Sequence, residues 1–526
     1  MPIKNQLNRI QGFLQSKNSL TNQKTILLTT IILLFWLAVV IFTESRHEFW
    51  RDEIRALTLV QEAGNPLDLI KLIRYEGHPL LWYLLLYIGK SLINTQLILP
   101  ITSILIAFAA VSIFMFYSPF PLWFRTLFIF NAFPLYEYSV MARNYGITML
   151  LLFIAATLYR KRRQHPFLLA FVLALMANTN VHAVILSGLI AVIWVWDFLT
   201  EKRETPLKIP WRTLILPMLI ILAGIVLCIF VILPPKDSIL IRANQSHTLR
   251  ELLLTLFNAV FRPDITFDKI MPEAFPSLGI VFLFLASAFG LLRKPLLMLA
   301  ALAGQTVMGL TFLLAYSGKY RHQGLFLIFL VGLYWLFNVA KEKQSQHKII
   351  NLIYKAGFLS LTILIIGNIF TVKTTVISDI KIAASASKQF GNFLNQSETF
   401  RDAIILPEPD YMMESLPYYS NNSIYLPRED RFGKTTSWSN EAGTFLTLGD
   451  LLTTARKLKS QYNKPVLIAI GHWDINFDEA DEIHYSYNKI FAWNENDVAD
   501  FKQSTEFVTE FSPAFTGEKY RVYELK

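Results

Sequence analysis

A polytopic α-helical membrane protein with a small C-terminal α/β soluble domain is the fold class this sequence predicts, and three observations predict it. Hydrophobic residues fill 53% of 526 positions and charged ones only 17%, with 41 Phe, which is more apolar material than one soluble core uses. The apolar residues fall into runs of membrane length. The charge is split along the chain: residues 372–526 hold 16 Lys and Arg against 22 Asp and Glu, a net of −6, leaving +16 on residues 1–371. The predicted division is a transmembrane domain, 1–371, and a C-terminal domain, 372–526.

Residues 25–42 form the first run, eighteen positions without a charge, enough for a somewhat short membrane helix. Lys17 and Lys24 precede it as basic residues precede a secretory signal. Thr43-Glu44-Ser45-Arg46 offers no small-residue cleavage pattern, so a retained helix is expected. A dense polar segment follows at 44–79, containing Trp50-Arg51-Asp52-Glu53 and closing with Glu76-Gly77-His78-Pro79. Residues 80–93 are apolar but number only fourteen and include Lys90, so a partly inserted or re-entrant helix is predicted there. Further crossings are predicted near 97–117, 122–138, 145–159, 167–182, 184–199, 213–233, 277–292, 296–315, 325–340 and 349–371, about eleven with the first.

The short loops between these runs set an orientation. Arg160-Lys161-Arg162-Arg163, Lys202-Arg203 with Lys208, Arg293-Lys294, residues 341–348 and the N-terminal Lys4, Arg9, Lys17 and Lys24 are mutually consistent as cytoplasmic anchors. The net charge of +10 is therefore no nucleic-acid signature, since its excess lies on membrane-flanking loops. The expected location is the cell (inner) membrane, with the N-terminus cytoplasmic. Residues 44–79, the 141–145 turn, the 234–276 loop, residues 317–323 and the C-terminal domain then share the extracytoplasmic side. Residues 249–261, Leu-rich with two Phe, predict a helix lying along the membrane surface.

Beyond 372 the composition is that of a soluble domain. Residues 403–406, 423–426 and 466–470 predict short buried strands, 520–523 an alternating one, and 446–462 a helix. Gly471-His472-Trp473 has no assigned role. Cys228 is the only cysteine, which excludes intramolecular disulfides and cysteine-built metal sites but does not define the compartment.

The candidate chemistry lies on one face. A carboxylate at the membrane surface suits general-base work, because partial desolvation raises its pKa and the bilayer delivers an amphiphilic substrate. Asp52 is the first candidate and Glu53 the second; the competing reading is a salt-bridged loop rich in Arg46, Arg51 and Arg55. His78, ahead of Pro79, can hold a phosphate or carboxylate or ligate a metal, or simply start a helix with interfacial Trp82 and Tyr83. Arg143 lies between two apolar runs, where a cation needs a partner or snorkels to the surface. Lys319-Tyr320-Arg321-His322 is a basic cluster beside lipid, suited to a phosphate on a membrane-embedded carrier. His182, after Asn178 and Asn180, reads as a helix contact. No Gly-rich phosphate loop is present.

The order and spacing of Arg51-Asp52-Glu53, Glu76-Gly77-His78-Pro79-Leu80 and Ala142-Arg143-Asn144-Tyr145 resembles integral-membrane glycosyltransferases of the GT-C fold. The nearest group is the protein O-mannosyltransferases and aminoarabinose transferases, which use polyprenyl-phosphate sugars. The motifs span residues 25–165 and the layout spans the chain. Leu80 replaces the second proline common after His-Pro, and Asn144 fills the variable position before Tyr145, so the sugar stays undefined.

The resemblance implies sugar transfer from a polyprenyl-phosphate carrier to a hydroxyl of a protein, lipid or glycan acceptor, by inverting displacement. It implies Asp52 as base with Glu53 beside it, and Arg143, Arg321 and His322 stabilising the leaving phosphate. Glu76, His78, Tyr145 and Tyr320 would complete the substrate site. A divalent metal, Mg or Mn, assists some such enzymes; Glu53 and Glu76 are the candidate ligands, without diagnostic spacing. The rival readings are a lipid-linked glycan flippase or transporter, and a glycan polymerase or ligase. A transporter needs polar groups near the bilayer midplane and often shows repeats, and no clear repeat is present here.

Overall fold

A computed structural model of the chain describes residues 23–93, 95–200, 212–236, 238, 248–339, 348–439, 442–471, 482–487 and 489–526. The predicted basic anchors Lys4, Arg9, Lys17, Lys202, Arg203, Lys208 and residues 341–347, with His472 and Trp473, lie outside the described residues. The chain is mostly helical and multi-pass in character. Seven helices among the described residues are long and apolar enough to cross a membrane: Gln23–Glu44, Ile98–Tyr117, Val181–Thr200, Arg212–Ile232, Pro295–Leu314, Tyr320–Val339 and Lys348–Lys381. Four shorter apolar helices accompany them, Leu81–Leu92, Tyr145–Tyr159, Pro166–Ala177 and Ser277–Phe289.

Tyr320–Val339 is the centre of the bundle. Its apolar window is 89% buried, against 22% for Gln23–Glu44 and for Arg212–Ile232, whose outward Leu, Ile and Phe side chains need a lipid-like surrounding. Arg321 and His322, in the first turn of the central helix, therefore point into protein. Small residues let neighbouring helices approach: Gly290 and Gly357 face each other so closely that an added Cβ on Gly290 would lie 2.7 Å from the Gly357 Cα.

Three expectations are corrected. The crossing predicted at 122–138 is broken into an eight-residue helix, Leu122–Ile129, and a π-helical turn, Phe133–Glu137. Pro134 cannot continue an ordinary helix, and the Asn131 carboxamide accepts the Phe133 N–H at 2.9 Å while Asn368 accepts the Ala132 N–H at 3.1 Å. The boundary predicted at 371/372 falls inside one continuous helix, Lys348–Lys381, of 34 residues. At about 1.5 Å per residue it is about 50 Å long, well past the hydrocarbon thickness, and the C-terminal domain starts after it. The crossings predicted at 167–182 and 277–292 shorten to 12 and 13 residues, ended by the Asn178 and Gly290 turns.

The helix Leu249–Phe261 forms with the predicted bounds, opened by Thr248, whose hydroxyl accepts the Glu251 N–H, and it buries only Ala259. The C-terminal region contains β1 (Ile404–Glu408), β2 (Tyr425–Leu426), β3 (Arg431–Phe432), β4 (Phe445–Thr447), β5 (Val466–Ile470), β6 (Glu482–Ser486), β7 (Lys489–Trp493), β8 (Thr505–Phe511) and β9 (Tyr520–Leu525). The main sheet runs β1-β5-β9-β8, with β1 and β5 parallel and the other pairs antiparallel. Side chains alternate between two cores, Ile404 and Leu406 on one face with Leu448 and Leu451, Ile405 on the other with Phe390 and Leu416. This covered sheet rests on the 44–79 segment through contacts that build the site below.

Candidate functional site

The polar segment folds into two helices, Arg51–Glu62 and Pro66–Ile73, ahead of the 76–79 turn. The first starts at extended Trp50, whose N–H donates to the Glu53 carboxylate at 3.4 Å. The N–H of Arg51 donates to Glu518 Oε1 at 3.0 Å, so a carboxylate from β9's approach caps the helix across more than four hundred residues of sequence. Burial pushes the Glu518 carboxyl up to about 7, against the lowering pull of Arg51.

Asp52, Arg55 and Ala56 lie at i, i+3 and i+4 on this helix and share the wall of a cavity of about 200 Å³ with His78, Arg143 and Trp438. Three guanidinium groups converge on Asp52. Arg143 Nη1 is 2.5 Å from Oδ2, Arg51 Nη2 is 3.4 Å from Oδ1 and Arg321 Nη2 is 3.6 Å from Oδ2. Burial raises the Asp52 pKa, but Arg143, Arg51 and Arg321 outweigh it and hold the carboxyl well below its ordinary range. Arg143 also reaches His78 Nε2 at 3.4 Å. Burial and Arg143 press His78 down to about 4, so the neutral ring accepts from the guanidinium at physiological pH. The buried Arg321 Nε has no hydrogen-bond partner among the described residues.

Glu53 points elsewhere, because one residue along a helix rotates the side chain by about 100°. It is fully buried, accepting from the Ala142 N–H at 2.6 Å and lying 2.9 Å from His47 Nε2. The expectation of a catalytic Glu53 is thus corrected: it anchors the Ala142-Arg143 turn from behind. His47 Nδ1 in turn lies 2.7 Å from Asp379 of the last long helix.

Tyr145 and His322 form a layer behind Arg143, with His322 Nε2 2.8 Å from the Tyr145 hydroxyl and the guanidinium over the Tyr145 ring at 5.9 Å. Neither lines the cavity; both stand behind Arg143 and support it. Tyr320 also departs from expectation. Its hydroxyl lies 2.6 Å from both Thr371 and Asn368, and its ring packs on Phe133, away from Asp52.

Glu76 is held by both forks of Arg55, Nε to Oε2 and Nη2 to Oε1, each at 2.7 Å. Arg55 also pairs with Glu414 of the C-terminal domain and donates to the Thr436 carbonyl at 3.0 Å. The residues do not fit the expected metal: Glu53 and Glu76 have their oxygens committed on separate sides of the helix, and no group of three His, Cys, Asp or Glu is gathered for an ion among the described residues.

Sequence reasoning missed Glu414, Trp438, Tyr487 and Glu518, which reach the 44–79 segment from the C-terminal domain, and Tyr75 in the cavity wall. No local pattern marks the first four. His47 was findable, as an ionisable residue inside the singled-out segment. Compared with protein-family models and with curated protein sequences, the chain matches none.

Proposed function

We propose that the chain is a GT-C-type membrane glycosyltransferase that moves a sugar from a polyprenyl-phosphate carrier to an acceptor hydroxyl at the extracytoplasmic face. The observation that carries this reading is the convergence of Arg51, Arg143 and Arg321 on the single carboxylate of Asp52, at the wall of a cavity. That excess of positive charge suits a phosphate diester, whose oxygens match guanidinium forks. The arginines sit at helix ends: Arg143 precedes Tyr145–Tyr159, and Arg321 opens Tyr320–Val339. Such a position favours a lipid headgroup over a solute crossing the midplane, which weighs against a transporter. In this reading about eleven crossings, with the broken 122–138 segment counted and Leu81–Leu92 left as the partly inserted helix whose far end at Gln96 meets Tyr418 of the C-terminal domain at 3.3 Å, keep the basic 160–163 loop in the cytoplasm.

In the transfer, the acceptor oxygen attacks the anomeric carbon while the bond from that carbon to the phosphate oxygen breaks. The acceptor proton passes to Asp52 and the lipid phosphate leaves with the bonding electrons, its charge met by Arg143 and Arg321. One displacement inverts the configuration. A carboxylate clamped by three guanidinium groups is a weak base. Donor phosphate competes for the same arginines, so Asp52 gains proton affinity only when the donor is in place. Membranes carrying Asp52→Asn, supplied with polyprenyl-phosphate sugar, are expected to lose sugar transfer by at least about a hundredfold while the protein stays inserted. Transfer at the wild-type rate would refute the assignment.

A further inference from the structure

Beside the Asp52 cavity lies a larger one, about 650 Å³, within the size range of ligand sites. It shares Arg55, Tyr75, Glu76 and Trp438 with the smaller cavity, so the two meet along one wall. Its other walls come from the two helices of the polar segment and from residues 431–438. None of its lining residues belongs to a membrane-length helix. A ligand therefore reaches it from the aqueous side, whereas a lipid-linked donor stays anchored in the bilayer.

The lining chemistry narrows the ligand further. Most of its charges are paired within the protein: Arg55 with Glu76 at 2.7 Å, Arg431 with Glu429 at 2.6 Å and Lys71 with Asp68 at 3.3 Å, while Glu62 accepts from the Thr435 hydroxyl at 3.3 Å and Lys434 adds one further cation. Such walls offer little to a strongly charged polymer. Three aromatic side chains stand among them, Tyr75, Phe432 and Trp438, with hydroxyls at 435–437. Phe432 keeps 38% of its surface exposed despite its apolar ring. Its ring meets Tyr425 and Tyr462 edge-on, and the aromatic surface left exposed beside hydroxyls and amides matches a sugar ring, whose C–H face packs on it while its hydroxyls bond to the rim.

We propose that this cleft, between the polar segment and residues 431–438, is the acceptor subsite and takes an uncharged or weakly charged glycan. The proposal rests on the reading of Asp52 as the transfer site. The glycan's hydroxyl would enter along the shared wall past Trp438 to meet Asp52.

The test is retention on the full-length protein in detergent. The probe is the soluble glycan fraction released by mild acid from the envelope of cells that make the protein, read by mass spectrometry. Wild type and Asp52→Asn are expected to retain the same glycan, and Phe432→Ala and Trp438→Ala to lose roughly tenfold or more of it. Phe432 is partly exposed and sits at a two-stranded edge, so its variant keeps the test valid if Trp438→Ala misfolds. No retained glycan, equal retention in Phe432→Ala, or retention of a mixed tryptic peptide pool in its place overturns the proposal. Normal transfer by Asp52→Asn, with glycan retention as expected, would overturn the base assignment alone and leave the cleft as a glycan site.

Discussion

His47 has no exposed side-chain surface, and a carboxylate meets each ring nitrogen, Glu53 at Nε2 and Asp379 at Nδ1. Burial alone would depress the imidazole, but Glu53 and Asp379 together raise it to about 10. A histidine raised in the folded state contributes stability that is complete below its ordinary pKa of 6.5 and is lost as pH climbs through about 10. Between pH 7 and 10 the detergent-solubilised wild type is thus expected to lose several degrees of unfolding midpoint on this account. His47→Gln should begin lower and lose less over the same interval; parallel slopes would show that the imidazolium carries none of the dependence. At this scale, Asp52, His78, Arg143 and Arg321 were legible because ionisable residues beside long apolar runs are conspicuous. Their neighbours were not separable by composition. Glu53 follows Asp52 and Tyr320 precedes Arg321, yet the turn of a helix sends Glu53 to the Ala142 N–H and Tyr320 to Asn368.

Arg55 joins three elements: its own helix, the turn at Glu76, and the 3₁₀ segment Asp410–Tyr418 through Glu414. Its side chain is 10% exposed and those of Glu76 and Glu414 are 7% and 1% exposed, so water cannot replace a lost partner. Arg55→Met would strand two buried carboxylates, and removing one member of such a cluster costs about 3–5 kcal/mol. The variant is expected to unfold at a lower temperature and to be cut sooner by protease within residues 431–438, which Arg55 steadies through the Thr436 carbonyl. Wild-type behaviour in both assays would mean the clasp is dispensable. Elements were legible where hydropathy alone decides them. The helix Leu249–Phe261 and β5 fell where periodicity put them, whereas the break after Ile129 depends on the Asn368 carboxamide, 236 residues from the Ala132 N–H it accepts. Strands β6, β7 and β8 carry too little apolar alternation to stand out before the sheet surrounds them.

At the scale of the whole molecule, the acidic C-terminal domain closes over the polar segment, and the parity of crossings decides which side of the membrane that assembly faces. The exposed residues Gln164 and Ser317 bracket the decisive stretch. Between them run three membrane-length helices, Val181–Thr200, Arg212–Ile232 and Pro295–Leu314, and two short ones, Pro166–Ala177 and Ser277–Phe289. If all five cross, or only the three long ones do, the count is odd and the two residues lie on opposite sides. An even count arises only when one short helix crosses without the other. Contacts support the odd count, since the two ends of Val181–Thr200 meet the two sides: Asp197 accepts from Tyr159 at 2.9 Å near Gln164, and His182 lies 3.0 Å from the Tyr316 hydroxyl beside Ser317. The positive-inside rule favours the cytoplasm for the end that carries Arg160-Lys161-Arg162-Arg163. Cys228 is buried, so a Cys228→Ser background leaves single cysteines at the two positions as the accessible thiols. On intact cells a membrane-impermeant maleimide is expected to label Ser317→Cys at once and Gln164→Cys only after permeabilisation. Labelling of both from the same side would show an even count, and the reverse pattern would turn Asp52, Arg143 and the C-terminal domain to the cytoplasm. Labelling of Ser317→Cys only after permeabilisation, whatever Gln164→Cys does, would remove the extracytoplasmic setting on which the proposed transfer depends.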